Sequence, residues 1–373
     1  MLGELGAGLV IIDHAVSPVQ QRNLERAWNA KVLDRTGLIL EIFGRRARTR
    51  EGRLQVELAH LSYQKGRLVR AWTHLERQRG GRGFMGGPGE AQIELDRRMI
   101  EERIDVIRRE LERVVRTREL HRKGRRKVSY PTVAIVGYTN AGKSTLFNRL
   151  SGAGVPEIDQ VFATLDPTMR EVRLASGRRV IVSDTVGFIS DLPTMLVAAF
   201  RATLEEVVEA DLVLHVRDIA HRETDAQASD VEGVLADLGI DTVPAESRIL
   251  EIWNKVDLLS PVTRKEAEAA ARFREPRPVL ASAVTGLGID ALLAAIDARL
   301  GHADEILTLT IPARAGRLIH WLYEQADVLE RTLDEAGDIR ARVRIASEKK
   351  QRLLHQLRRA GVAHDTLSPP KSG

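Results

Sequence analysis

The spacing of apolar positions changes several times along the chain, and each change marks a unit. Leu9–Ile12 is a short unbroken apolar run that predicts a buried strand. Pro18 opens a helical stretch through Leu24 and Trp28, and the run Leu38–Phe43 predicts a second strand. Residues 1–50 therefore read as a partial β/α subdomain. From Leu54 the pattern becomes a heptad seam: Leu54, Leu58, Leu61, Leu68, Trp72 and Leu75 step by 4, 3, 7, 4 and 3. A second seam, Ile93, Ile100, Ile104, Ile107, Leu111 and Val114, steps by 7, 4, 3, 4 and 3. Between them, residues 80–89 carry six glycines and a proline, which forbid helix. Two seams across such a break predict an antiparallel helical hairpin over 51–127, with arms roughly 30 to 45 Å long.

After Pro131 short apolar runs alternate with helical stretches. Val133–Val136, Val180–Ser183, Leu212–Val216, Ile249–Trp253 and Val279–Ala281 read as strands. That alternation predicts an α/β domain over 131–302, a mostly parallel sheet with helices on both faces. Residues 303–373 read as a small α+β C-terminal domain. It has a strand at Ile306–Ile311, a helix through Trp321 and Leu329, a strand at Ile339–Ile345 and a polar end.

Composition narrows this picture. With 43% hydrophobic residues each unit can bury a core, and no apolar run approaches the roughly 18 to 20 residues that span a bilayer. The absence of cysteine excludes a disulfide framework, a thiolate metal site and a cysteine nucleophile. With no secretory pattern at the start, a cytoplasmic monomer without membrane attachment is expected. Charge is distributed unevenly. Residues 1–127 hold 28 Lys+Arg against 17 Asp+Glu, a balance of +11, whereas residues 128–373 hold 29 against 35, a balance of −6. Arginine dominates the basic set, including the linker 121–127, and its planar fork suits phosphate. A polyanion-facing front half is the expectation.

Four strings carry the candidate chemistry, each at the C-terminal end of a predicted strand. Gly137-Tyr138-Thr139-Asn140-Ala141-Gly142-Lys143-Ser144 has the spacing of a phosphate loop, in which backbone N–H groups wrap phosphates at a helix N-terminus. Lys143 is placed to reach the β- and γ-phosphates and Ser144 to offer a hydroxyl to Mg²⁺. Asp184-Thr185-Val186-Gly187 supplies a carboxylate able to hold Mg²⁺ through water and a Gly187 N–H for the γ-phosphate. In Asn254-Lys255-Val256-Asp257 the final carboxylate can accept two hydrogen bonds that guanine donates and adenine lacks. Lys255 would cover the base and Asn254 brace the loop. Ser282-Ala283-Val284 can offer a backbone N–H to the guanine oxygen. GTP and GDP are the expected ligands.

These strings, together with Phe162-Ala163-Thr164-Leu165-Asp166-Pro167-Thr168 and Asp184–Ile189, resemble the HflX family of ribosome-associated GTPases. The hairpin tip from Gly80 to Glu90, Asp96-Arg97-Arg98, Asp34–Leu40 and Gln55–Ala59 are similar to it as well, and the likeness covers about residues 9 to 300. The resemblance implies that Thr164 coordinates Mg²⁺, with Thr168 the second candidate. It adds Phe162, Ala163, Leu165 and Asp166 to the nucleotide site. It also implies binding to the large ribosomal subunit and its RNA, ribosome-stimulated hydrolysis, and a role in ribosome splitting, rescue or biogenesis. The family pattern carries further sequence ahead of Leu9, so a shortened form is expected.

Phe188 stands where Ras-type enzymes place a water-orienting glutamine, so slow intrinsic hydrolysis is expected. Asn140 either helps coordinate K⁺ beside the phosphates or braces its own loop. Phe84 at the tip is either a base-stacking ring or part of a connector. The alternative functions are a regulatory GTPase in RNA modification and a nucleotide-state scaffold whose turnover ribosomes do not raise.

Overall fold

The computed structural model describes residues 6–78, 88–125, 130–152, 162, 164, 167–190, 201–240, 248–301, 304–312, 315–333, 337–362 and 364–367. The front unit runs β1 (Leu9–Ile12), α1 (Pro18–Trp28), β2 (Lys31–Asp34), α2 (Arg35–Arg46), with β1 and β2 parallel. Ser17 caps α1 reciprocally with Gln20, and Pro18 occupies the first turn, where its missing N–H is harmless. The run Leu38–Phe43, expected as a strand, is helix. Asp34 accepts the Gly37 N–H at 2.7 Å and starts α2, which buries Ile39, Leu40 and Phe43 at helical spacing. A continuous apolar run does not by itself distinguish strand from helix, and the N-cap decides here.

The hairpin arms are α3 (Arg50–Gln78) and α4 (Pro88–Arg125). Charged pairs cross between them in antiparallel order: Arg50 with Glu110 at 3.2 Å, Glu57 with Arg103 at 2.7 Å, and Lys65 with Glu101 at 2.9 Å. Such exposed pairs fix register more than they stabilise, at about 0.2–1 kcal/mol each. The tip residues 80–87 including Phe84, and Arg126 and Lys127 of the linker, lie outside the described residues.

The central sheet has six strands in the order β4-β5-β3-β6-β7-β8. They are β3 (Thr132–Gly137), β4 (Thr168–Arg173), β5 (Arg179–Asp184), β6 (Leu212–Asp218), β7 (Ile249–Asn254) and β8 (Val279–Leu280), all parallel except the β4–β5 hairpin. The helices are α5 (Lys143–Ser151), α6 (Arg201–Val208), α7 (Thr224–Asp237), α8 (Pro261–Arg272) and α9 (Ile289–Gly301). One sheet face packs α5 and α9 residues, among them Phe147, Leu146 and Leu292. The other face packs Leu204, Val207 and Val231, and its core continues into Ile39, Leu40, Phe43 and Val56 of the front unit. Phe43 meets Phe162 edge-on, with ring centroids 4.7 Å apart.

His215 sits inside the β6 stretch of this sheet, 2% exposed, and burial holds its imidazole down to about 4 from the usual 6.5. The folded protein keeps this ring neutral where the unfolded chain would protonate it. Stability from His215 is therefore complete above 6.5 and lost as pH falls toward 4. The loss is expected to reach on the order of 2 kcal/mol by pH 5. Thermal unfolding across pH 4 to 7 should show a shallower acid slope for His215→Leu than for the parent.

The C-terminal unit contains β9 (Asp304–Ile311), α10 (Gly316–Gln325), β10 (Asp327–Leu333), β11 (Ile339–Ala346), α11 (Ser347–Ala360) and β12 (His364–Leu367). The expected helix through Leu329 ends at Gln325, and Leu329 belongs to β10. The end that reads as polar holds α11, whose Leu353 and Leu357 are fully buried within a basic helix. The strand order β10-β11-β9-β12, all antiparallel, is that of a split βαβ, ferredoxin-like sandwich. It reaches the central domain through Arg344, which donates to the Ser176 carbonyl in the β4–β5 turn at 2.8 Å. The Ser176 hydroxyl donates in turn to Asp297 of α9 at 2.7 Å.

Candidate functional site

The loop between β3 and α5 is shaped by contacts that forbid side chains. A Cβ on Gly137 would stand 2.2 Å from the Val216 carbonyl oxygen of the neighbouring strand. Gly142 has φ +91, and a Cβ there would meet Asn254 Nδ2 at 2.3 Å. Asn254, 1% exposed, joins two loops: its Nδ2 donates to the Ala141 carbonyl at 2.8 Å, and its Oδ1 accepts from the Ala283 N–H at 3.0 Å. Lys143 lies against this loop with Nζ donating to the Tyr138 carbonyl at 2.8 Å. Burial pulls its ammonium down to about 8 from 10.5, and Lys255 adds to the fall while Asp184 opposes it. An incoming polyphosphate would raise it again by stabilising the ammonium.

Three oxygen groups converge beside it. Ser144 Oγ and Thr164 Oγ1 donate to the same Asp184 oxygen at 2.8 and 2.7 Å, and the two hydroxyls are 3.0 Å apart. The other Asp184 oxygen, Oδ1, is buried without a hydrogen-bond partner among the described residues. Burial raises the Asp184 carboxyl above its ordinary range, against the hydroxyls of Thr164 and Ser144 and the charge of Lys143. Two hydroxyls and a carboxylate form a hard, oxygen-only donor set, which suits Mg²⁺. Thr168 opens β4 opposite Asp184 in the strand register rather than in this cluster.

The cavity between these groups and the loop after β7 is about 480 Å³. Thr139, Asn140, Lys143, Gly187, Asp257 and Val284 are among its lining. Lys255 adopts φ +66 and its Nζ donates to Asp218 at 2.8 Å, which holds its stem beside the cavity. Asp257 is exposed at the cavity's rim, and Ser282, fully buried, fixes the neighbouring loop by accepting the Thr285 N–H at 3.0 Å. Val186 and Val256, each 1% exposed, pack away from it. Phe162 lines the cavity on one side and meets Phe43 on the other. Ala163, Leu165 and Asp166 lie outside the described residues.

Phe188 points away from the cavity. Its side chain is 1% exposed in the core shared with the front unit, while its backbone runs along the phosphate loop. The Thr139 N–H donates to the Phe188 carbonyl at 2.8 Å and the Phe188 N–H donates to the Gly137 carbonyl at 3.1 Å. Sequence reading missed Thr145 and Leu258 of the lining. It also missed Arg35 of α2, whose Nη2 donates to the Ser190 carbonyl at 2.8 Å. Thr145 follows Ser144 directly and was within reach of the motif; Arg35 and Ser190 are 155 positions apart and carry no local signal.

A glycine-pinned loop after β3, a carboxylate at the end of β5 and the Asn254–Asp257 loop after β7, gathered around one cavity, have the arrangement of a guanine-nucleotide-binding domain of the phosphate-loop class. Four family models match the chain: GTP-binding GTPase N-terminal on residues 1–44, GTP-binding GTPase Middle Region on 46–125, 50S ribosome-binding GTPase on 132–255 and HflX C-terminal domain on 269–366. A GTPase HflX of Magnetococcus marinus is 50% identical over 355 residues, 95% of this chain and 80% of that one. The GTPase HflX of Escherichia coli is 46% identical over 354 residues, 94% of this chain and 81% of that one. Among solved structures, a GTP-binding protein from the archaeon Sulfolobus solfataricus in complex with GDP covers 78% of this chain and 80% of its own, at 24% identity and a TM-score of 0.44. The chain belongs to the HflX family of GTPases, and the reaction it catalyses is hydrolysis of GTP. No helix among the described residues is long and apolar enough to cross a membrane.

Proposed function

We propose that this GTPase binds the large ribosomal subunit in the cytoplasm and that the ribosome completes its hydrolytic site, coupling GTP turnover to ribosome splitting, rescue or biogenesis. The observation that carries this reading is Phe188. With that side chain buried, the residue after Gly187 offers nothing to orient an attacking water, so a partner must supply or order the group that does. The central domain's likeness to the 50S ribosome-binding GTPase model supports the large ribosomal subunit as that partner. The balance of +11 over residues 1–127 supports ribosomal RNA as the surface that the basic arm faces.

In this reading Ser144 and Thr164 would hold Mg²⁺ directly and Asp184 would hold it through water. The ion, when bound, neutralises charge that builds on the phosphates. Lys143 pairs with the β- and γ-phosphates, the Gly187 N–H faces the γ-phosphate, and Asp257 reads guanine. Asn140, at φ +61 in the phosphate loop, either helps coordinate K⁺ beside the phosphates or braces the loop.

The test is pelleting with purified large subunits across a salt series, with GTP analogue or GDP bound. Tighter pelleting with the analogue is expected, because a γ-phosphate orders the segments around Thr164 and after Gly187. Binding should weaken steeply with salt as phosphate contacts are lost. Deleting residues 80–89 should reduce pelleting while leaving GDP affinity intact. Pelleting that ignores nucleotide state, salt and the deletion would overturn the ribosome reading and leave a GTPase with another partner.

A further inference from the structure

Tyr138, the second residue of the phosphate loop, is joined by its side chain to Ser190, three residues beyond Gly187. The Tyr138 hydroxyl lies 2.8 Å from Ser190 Oγ and accepts the Ser190 N–H at 3.1 Å. Ser190 Oγ lies 2.7 Å from Asp230 Oδ2 on α7. Proton counting sets the direction of this chain. An ionised carboxylate only accepts, so the single Ser190 proton goes to Asp230, and Ser190 Oγ must accept the proton of Tyr138. Hydrogen bonds running one way into a charge reinforce each other. The Ser190 carbonyl takes a further bond from Arg35, so the N–H, hydroxyl and carbonyl of Ser190 are all engaged.

Between these anchors lies the peptide that matters for hydrolysis. Gly187 is pressed so closely that a Cβ would stand 2.9 Å from Lys143 Nζ and 3.0 Å from Thr139 Cα. Phe188 is held by its two backbone bonds to the phosphate loop, but those bonds sit on one side of Gly187 only. Movement of residues 189 and 190 would twist the Phe188 peptide and with it the Gly187 N–H. We propose that Tyr138 and Ser190 form a positioning pair for GTP hydrolysis: their hydroxyl link, aimed by Asp230, fixes the segment that follows Gly187 on the phosphate loop so that the Gly187 N–H stays aligned for the γ-phosphate. Neither side chain touches the nucleotide cavity, so the pair acts through Gly187 and not on substrate. GDP lacks the group that Gly187 faces, so its affinity does not depend on the pair.

The test uses the full-length protein alone, in single-turnover hydrolysis with Mg²⁺, so its failure is separate from failure of the ribosome reading. Tyr138→Phe and Ser190→Ala are each expected to slow hydrolysis by about 10-fold, with unchanged GDP affinity and unchanged Tm. The double variant should be no slower than either single, because both remove one link. Asp230→Ala should slow the rate less, since it leaves the Tyr138–Ser190 link in place. Unchanged rates in both single variants would overturn the proposal. So would a multiplicative loss in the double variant, or a rate loss matched by a fall in Tm or in GDP affinity, which would mark a structural role.

Discussion

Asp257→Asn is expected to lower GTP affinity by at least about 100-fold and to shift preference toward xanthosine triphosphate. Guanine donates through N1–H and its exocyclic amine, and the Asp257 carboxylate at the cavity rim can accept both. Hydrogen bonds to a charged acceptor contribute about 1.5–3 kcal/mol each, so losing one and leaving another poorly matched reaches that magnitude. Xanthine carries a carbonyl where guanine carries the amine, and the asparagine amide can donate to it. Fluorescent-nucleotide titrations of parent and variant with GTP, XTP and ATP measure all three affinities. Equal base selectivity in parent and variant would remove Asp257 from the base-reading role.

The second large effect concerns rate. Free protein is expected to turn over slowly, and large ribosomal subunits should raise the rate by on the order of 1,000-fold or more, the range seen when a partner completes a phosphoryl-transfer site. Restoring a glutamine at Phe188 should not substitute for the ribosome. The side chain at that position enters the core shared by Ile39, Phe43 and Phe162 rather than the cavity, so Phe188→Gln buries an unmatched amide. Its expected outcome is lower Tm with no gain in basal rate. Phosphate release by the parent and the variant, with and without subunits, checks both statements. A fast basal rate that ribosomes leave unchanged would refute the partner-completed site. The same assay with Na⁺ in place of K⁺ isolates Asn140, for which equal rates would leave only a loop-bracing role.

What could be read from the sequence was local. The phosphate-loop string, Asp184–Gly187, Asn254–Asp257 and Ser282–Ala283 each follow a strand, and the structure gathers Lys143, Gly187, Asp257 and Ala283 around one cavity. Strand–loop–helix geometry is set by neighbours in the chain, so short strings carry it. The misreadings arose where local pattern is ambiguous. Leu38–Phe43 is apolar enough for either element until the Asp34 cap is counted, and α11 hides two core leucines among ten polar or charged neighbours too basic to read as core. Contacts between units carried no signal at all. Phe43 on Phe162, Arg35 on Ser190 and Arg344 on Ser176 depend on how the units pack, which no periodicity records.

The last of these contacts has a mechanical consequence. β4 and β5 form the hairpin between Thr164 and Gly187, and a sliding hairpin must move two residues at a time, about 6.6 Å, to keep Val172 and Leu174 facing inward. Its turn is bolted at Ser176 to Asp297 on one side and Arg344 on the other. A full register step would break both bonds or drag the ferredoxin-like sandwich with it. The turn is therefore a pivot and the sandwich a strut: any rearrangement of this hairpin is expected to be taken up by bending at its open end, where Thr168 lies opposite Asp184, and not at the turn.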